Sequence, residues 1–169
     1  MPRAQPSAAR VYGPDDLRPK TSWAKVVEHL EEARTFWLAT ARADGRPHVM
    51  PLLAVCIDGD VYFCAGAHTQ KARNLARDAR CALTTATEGL DVVVEGTAAV
   101  VTDPAIVERA AAAFMVKYGW DADPRDGPFH GEGAPTAGPP PLDLYRVLPA
   151  TAFAFGTDES SNATRWRFG

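Results

Sequence analysis

Apolar residues recur at helical spacing in three segments of the chain. In the first, an i, i+3, i+4, i+7 series starts at Trp23, and the other two carry shorter apolar stripes of the same period. Each segment follows a residue whose side chain can cap the free backbone N–H groups of a helix. The predicted helices are 21–34 capped by Ser22, 70–78 capped by Thr69, and a third that opens at Asp103-Pro104 and ends at Gly119.

Between these helices the pattern changes to short runs of β-forming residues separated by turn residues. Asp58-Gly59 lies between two apolar runs and is a strong hairpin signal, whereas Pro51 interrupts a run and cannot donate to a ladder. The predicted strands are 35–41, 48–57, 60–65, 80–87, 91–101, 144–147 and 150–155. Six to seven antiparallel strands with two to three helices predict a mainly β fold, a small β-barrel with helical insertions.

Two stretches lack any periodic pattern. Residues 1–20 contain four prolines and predict an extended N-terminal arm, which leaves 21–169 as a single domain. Residues 120–142 are rich in Pro and Gly and are too long for an ordinary connection. They predict a long flexible loop that is either disordered or a functional lid.

Charge and hydropathy exclude several classes of protein. The 169 residues carry 18 Lys and Arg against 21 Asp and Glu, a net charge of −3, which argues against a nucleic-acid partner held by bulk positive charge. The sequence contains no run of about 18 apolar residues, so it predicts no membrane span. The first residues lack the apolar run of a signal peptide, and we expect a cytoplasmic protein.

Familiar catalytic and metal-binding motifs are missing from the sequence. It has no Walker A loop, GxGxxG, GxSxG or HExxH motif, its three cysteines form no CxxC pair, and its four histidines never stand at ligand spacing. We therefore predict no metal site. His48, Tyr62 and His130 are candidates for acid–base chemistry, but such residues are more often structural, so no catalytic residue is assigned.

The segment Gly66 to Leu75 carries the most specific chemical signal. A strand ends in small residues, and a helix begins at Thr69 with Lys71 in its first turn. Free N–H groups and a partial positive charge at a helix start suit a phosphate group, and Lys71 adds a point charge. Taken alone, the same residues also fit a simple cap with a solvated basic face.

The segment Arg46 to Leu52 is the second candidate. Pro51 leaves backbone groups of this strand unpaired, and these groups can serve a planar heterocycle with hydrogen-bonding edges. An edge strand that proline protects against aggregation is the alternative interpretation.

The order of these elements, taken together with several short motifs, resembles a known family. The motifs are Leu38-Ala39-Thr40, Asp44-Gly45-Arg46-Pro47-His48, Pro51, Tyr62-Phe63 and Lys71-Ala72-Arg73-Asn74-Leu75. As a set they resemble the split β-barrel flavoproteins of the pyridoxamine 5′-phosphate oxidase-like superfamily, and within it the actinobacterial branch of deazaflavin (coenzyme F420)-dependent reductases. The resemblance runs from about Trp23 to Val101 and recurs weakly near the C-terminus.

This resemblance implies a homodimer with a cofactor site at each interface. Residues matching Thr69 and Lys71 hold the cofactor phosphate, and the C-terminal Trp166 and Arg167 are candidates to stack on the ring and to pair with an anionic tail. The implied cofactor-binding set is His48, Val49, Met50, Pro51, Leu52, Gly66, Thr69, Gln70, Lys71, Asn74, Leu75, Trp166 and Arg167.

The implied activity is that of an oxidoreductase that uses F420, or alternatively FMN, to move a hydride to or from a small organic substrate. Oxidation of vitamin B6 is not implied, because Gln70 stands where the oxidases proper carry an Arg before the phosphate Lys. The alternative is a non-catalytic carrier of the same fold that binds flavin, F420 or heme, with His48 or His130 as the axial ligand.

Overall fold

The computed structural model describes residues 5–11, 19–157 and 163–169. Within these ranges the chain forms a mainly antiparallel sheet with three helices, as predicted. The strands are β1 Pro6–Val11, β2 Phe36–Ala41, β3 Pro47–Leu52, β4 Ala54–Ile57, β5 Asp60–Gly66, β6 Arg80–Thr87, β7 Leu90–Val100, β8 Leu142–Gly156 and β9 Thr164–Phe168; the helices are α1 Trp23–Glu32, α2 Gln70–Arg77 and α3 Pro104–Tyr118.

The long strand β8 organises the sheet, whose main path runs β1-β9-β8-β7-β6-β2-β3. One edge of β8 pairs with β7 along most of its length. The other edge pairs first with β5, over residues 142–147, and then with β9, over 151–154. Because β8 changes partners, the β4–β5 hairpin branches away from the main path, and α1 and α3 both contact β4.

Alternate residues of β5 enter two different cores, since successive side chains of a strand point to opposite faces. Phe63 and Ala65 face a core inside the curved sheet, together with α1 and α2. Tyr62 and Cys64 face a second core under α3. Both faces are covered, so every residue of β5 is buried, and its C-terminal end at Gly66 is fixed from both sides.

Three features of the sheet differ from the sequence prediction. Residues 48–57 form two strands, because β3 pairs with β2 and β4 pairs with β5, and the chain turns at Leu53. Residues 144–155 form one strand: it passes Pro149 at a bulge where Gly96 lies so close that an added Cβ would be 2.0 Å from the Leu148 carbonyl oxygen. Part of the N-terminal arm is strand β1, paired with β9, while residues 1–4 and 12–18 lie outside the described residues.

Aromatic side chains of the segment 120–142 pack against α3 and hold the segment in place. Trp120 and Phe129 pack edge-to-face at 6.0 Å, and Phe114 of α3 contacts both rings. The Trp120 Nε1–H group donates to the Glu132 carbonyl oxygen at 2.8 Å, and the backbone of Phe129 pairs with Leu142. The base of this segment is therefore part of the second core. Among the described helices, none has the length and apolar character needed to cross a membrane.

Candidate functional site

The start of α2 lies directly after the buried strand β5. Thr69 caps the helix: its hydroxyl donates to the Gly66 carbonyl oxygen at 2.8 Å and accepts from the Ala72 N–H group at 3.3 Å. The backbone N–H groups of Gln70 and Lys71 bond to no acceptor in the described part of the chain. The cap predicted from sequence therefore exists, and the helix presents free N–H groups beside it.

Lys71 is buried at this helix start, with only 2% of its surface exposed. Its ammonium group donates to the Thr136 carbonyl oxygen. Burial lowers the pKa of Lys71, because an ammonium group loses hydration when it leaves water. A buried cation that faces one backbone carbonyl has little to compensate its charge, and an anion in that place would compensate it fully.

A line of polar groups connects α2 to strands β2 and β3. The Asn74 side chain, also 2% exposed, donates to the Thr40 hydroxyl at 2.9 Å and accepts from Gln70 at 2.8 Å. The Thr40 hydroxyl lies 3.5 Å from Nδ1 of His48. This network holds the α2 start and the β3 strand in a fixed relation, since buried polar groups keep their partners.

His48 faces two cations as well as this network. Burial lowers its pKa first, and the positive charges of Arg42 and Lys71 lower it further. The imidazole is therefore neutral at neutral pH. A neutral ring beside two cations adds hydrogen-bonding capacity to the site without adding charge.

A wide cavity of about 820 Å³ opens beside the network and shares Thr40 with it. Small residues of β2 and the bulge at Gly96 and Pro149 line much of it, and Arg80 and Glu95 add charged groups. The volume is large enough for a tricyclic ring system. The cavity reaches Asp78 at the far end of α2, so the groups that can bind an anionic molecule are the buried cation and the free N–H groups at the start of α2.

The structure brings most of the predicted α2 residues together and separates the β3 residues. Gly66, Thr69, Gln70, Lys71 and Asn74 form one cluster with His48. Met50 is half-buried, and the Pro51 carbonyl oxygen accepts a hydrogen bond from the Thr136 hydroxyl at 2.6 Å. The remaining members lie in the core or on the outer face: Leu52 and Leu75 are core residues, and Val49 is 52% exposed on the outer face.

The two C-terminal candidates lie apart from this cluster. Trp166 is 2% exposed and packs edge-to-face with Trp23 at 5.6 Å. The prediction that it stacks on the cofactor ring is therefore wrong, because its side chain is enclosed in the core. Arg167 is exposed on β9, where it lines a small cavity with Arg10 and Arg165. Of the acid–base candidates, only His48 lies in the cluster; Tyr62 is a residue of the second core.

Sequence reasoning missed Thr40 and Thr136 as site residues. Thr40 belongs to a quoted motif, but its role depends on Asn74, which lies 34 positions further along the chain. Thr136 contacts Pro51 across 85 positions and carries no local signal. Contacts at such separations depend on the tertiary fold.

Comparison with known proteins gives a family and a fold. Residues 22–153 match the family model of pyridoxamine 5′-phosphate oxidase. No curated protein matches the sequence.

Solved structures share the fold of this chain at low sequence identity. The chain is similar to a conserved hypothetical protein from Mycobacterium tuberculosis, with 21% identity, coverage of 85% of this chain and 90% of that one, and a TM-score of 0.65. It is similar to an FAD-binding protein from Mesorhizobium loti, with 17% identity, 94% and 96% coverage, and a TM-score of 0.59.

A heme binding protein from Mycobacterium smegmatis has 16% identity and a TM-score of 0.61, with coverage of 81% of this chain and 55% of that one. The predicted split β-barrel fold is confirmed by these similarities.

Proposed function

Since the chain belongs to the pyridoxamine 5′-phosphate oxidase family, we propose that it binds a flavin-type cofactor, F420 or FMN, and uses it as an oxidoreductase. The substrate is a small organic molecule that accepts or donates a hydride. The cofactor supplies the hydride chemistry at its ring, and the protein supplies binding, orientation and electrostatics.

The buried ammonium group of Lys71 at the start of α2 is the observation that carries this proposal. A phosphate group bound there receives a charge-assisted hydrogen bond from Lys71 and hydrogen bonds from the free N–H groups of α2. Asn74 and Thr40 keep the helix start in place. The donor set therefore fits the phosphate of FMN and the phosphodiester of F420.

The ring of the cofactor can lie along β3, next to this phosphate position. The inward side of β3 carries neutral His48 and half-buried Met50. Neutral and apolar neighbours keep water away from the ring and place no charge beside it. We assign no side chain as acid or base.

F420 is the cofactor we favour, on the basis of the resemblance to the actinobacterial branch. Its polyglutamate tail needs basic residues at the mouth of the site. Arg73 lies at the α2 start and donates to the His68 carbonyl oxygen at 2.8 Å, so it is placed to receive a carboxylate. Arg46 is exposed but paired with Asp44 at 2.7 Å, and Arg167 lies on the distant strand β9.

A homodimer completes the proposed site. The outer face of β2 and β3 exposes 47% of Trp37 and 52% of Val49, which lie on the same side of the sheet. Large apolar side chains exposed together are typical of a protein interface. A second copy of the chain on this face would close the open cavity that borders Thr40.

A non-catalytic carrier that binds heme is the second candidate function. The specific observation for it is His48, whose lowered pKa keeps the imidazole neutral and able to ligate iron. His130, the other predicted ligand, is half-buried in the segment 120–142. A Soret band after heme addition, lost in a His48→Ala variant, would favour this function over the oxidoreductase.

Fluorescence titration of the purified protein with FMN and with F420 tests the proposal. We expect Lys71→Ala to weaken binding by about 30-fold, because a hydrogen bond to a charged group is worth about 2 kcal/mol. The matched control is Lys20→Ala, an exposed lysine away from the site. Turnover of the reduced cofactor with an electrophile then separates an enzyme from a carrier. If neither cofactor binds the unmodified protein, the phosphate site at Lys71 is wrong.

A further inference from the structure

The partner of the Lys71 ammonium group comes from the chain itself. It is the carbonyl oxygen of Thr136, in the five residues 134–138 that we name the strap. The strap crosses the start of α2 and covers Lys71, which is why that lysine is only 2% exposed. A phosphate group cannot reach the ammonium group while the strap lies there.

Three contacts hold the strap on the site. The Gly66 N–H group donates to the Ala137 carbonyl oxygen at 2.8 Å, Lys71 donates to the Thr136 carbonyl oxygen, and the Thr136 hydroxyl donates to the Pro51 carbonyl oxygen at 2.6 Å. They link the strap to β5, α2 and β3, the elements assigned to phosphate and ring binding. The strap thus occupies the hydrogen-bonding positions that a cofactor would use.

The backbone of the strap is held in an unfavourable conformation. Thr136 has a φ of +62°, a left-handed value that is costly for a β-branched residue. Gly138 has a φ of +84° and passes so close to α2 that an added Cβ would lie 2.9 Å from His68 Nε2. The cost of this conformation at Thr136 is recovered when the strap leaves the site.

The ends of the strap are fixed independently of the site. Trp120 holds the Glu132 carbonyl oxygen on one side, and Phe129 pairs with Leu142 on the other. Movement of the strap withdraws Ala137, which is 3% exposed in the second core, while these two end contacts can stay in place. Its release breaks three hydrogen bonds, and the bond from Lys71 to Thr136 is replaced at once by a bond from Lys71 to the incoming oxygen.

We propose that the strap is an internal competitor for the phosphate site, and that binding of an anionic cofactor displaces it from Lys71 and Pro51. The inference rests on the proposed function. It adds a regulated step, because the affinity for the cofactor then depends on the stability of the strap as well as on contacts to the cofactor.

A Thr136→Val variant tests this competition, because it removes the hydroxyl donor to Pro51 and disfavours the left-handed backbone further. With FMN and F420 as probes, we expect binding about fivefold tighter than in the unmodified protein, the effect of one lost hydrogen bond in the strap-bound state. The matched control is Thr102→Val, an exposed threonine before α3. Hydrogen exchange measures the strap directly through the Gly66 amide, which is bonded to Ala137.

Tighter binding in Thr136→Val, together with faster exchange at Gly66 in that variant than in the unmodified protein before any cofactor is added, supports the inference. Two results overturn the inference alone: Gly66 exchange in cofactor-free Thr136→Val that is no faster than in the unmodified protein, and equal affinity of Thr136→Val and the unmodified protein for both cofactors. Absence of binding in every protein, including Thr136→Val with a demonstrably open strap, overturns the proposed function and the inference with it.

Discussion

Two regions of the molecule take a lysine out of water, Lys71 almost completely and Lys117 in part, and they use it differently. Lys117 of α3 donates to the carbonyl oxygens of Leu30 at 3.3 Å and Ala54 at 3.2 Å, and lies 5.1 Å from the centre of the Phe36 ring. Lys71 donates to a single carbonyl in the strap. Burial lowers the pKa of both lysines, that of Lys117 to about 8. Residue type and the direction of the pKa shift therefore do not distinguish them.

The partners of the two lysines make the difference. Leu30 belongs to α1, and Ala54 belongs to β4 and also accepts a hydrogen bond from the Tyr118 hydroxyl at 2.8 Å. These carbonyls cannot move without disrupting regular elements, so Lys117 joins α1, β4 and α3. The partner of Lys71 belongs to a short turn with a strained residue. A buried charge becomes a binding group where its partner can be displaced.

Cofactor-dependent stabilisation should give the largest contrast between the two regions. At a cofactor concentration of 100 times Kd, we expect the free energy of unfolding of the unmodified protein to rise by about 2.7 kcal/mol. Lys71→Gln should lose most of this increase, because the phosphate then lacks its cation. Lys117→Gln should keep it. Urea denaturation with and without FMN or F420 measures both variants.

The two glutamine variants serve as controls for each other, since each replaces one buried ammonium group by an amide. Equal loss of the increase in both would mean that the substitutions act through the fold as a whole. The contrast between a binding lysine and a structural lysine would then be wrong.

Local sequence patterns predict the helix that carries Lys71, but they do not predict what that helix contacts. Thr69 and the apolar period of 70–78 predict a capped helix with Lys71 in its first turn, and the cap is present. The strap contact depends on packing that brings Thr136 onto Lys71 across 65 positions. No periodicity or motif in 120–142 indicates it.

For the Lys117 region, too, the sequence predicts the helix correctly but not the contacts of its lysine. The Asp103-Pro104 start and the Gly119 end are confirmed, and Gly119 has the left-handed φ of +67° that favours glycine. Nothing in that pattern distinguishes Lys117 from a solvated lysine, because its acceptors lie on α1 and β4. Trp166 illustrates the converse, since a terminal aromatic residue predicted to stack on a ring is instead held in the core by Trp23.

The pH dependence of cofactor affinity should give the second-largest difference between Lys71 and Lys117. Phosphate favours the protonated form of Lys71, whereas burial in the free protein lowers the pKa of this lysine below its usual 10.5. Binding therefore takes up a proton once pH exceeds that lowered pKa, and affinity falls by up to tenfold per pH unit. The neutral amine still donates to Thr136, so high pH also favours the closed strap.

Titrations of FMN from pH 7 up to 10.5, the ordinary pKa of a lysine, measure this slope. Lys117→Gln should retain the slope and Lys71→Gln should remove it. If the unmodified protein and both variants showed the same slope, the proton taken up on binding would belong to a group other than Lys71.

The pH dependence of stability without cofactor gives the smallest effect and concerns Lys117. Its pKa is about 8 in the folded protein and 10.5 when exposed, so the unfolded chain binds more protons between these values and stability rises with pH there. The three thiols act in the opposite direction, and increasingly so above pH 9, because burial raises the pKa of Cys56 and Cys64 from 9.0 to about 12 and that of Cys81 to about 11.

The useful window for this measurement is therefore pH 7.5 to 9. Across it we expect the free energy of unfolding of the unmodified protein to rise by about 0.5 to 1 kcal/mol relative to Lys117→Gln, a value reduced for the partial exposure of the side chain. Lys71 contributes in the same direction in both proteins, so the difference isolates Lys117. Parallel stability curves would show that the Lys117 ammonium group is hydrated in solution, and the two lysines would then differ in burial as well as in their partners.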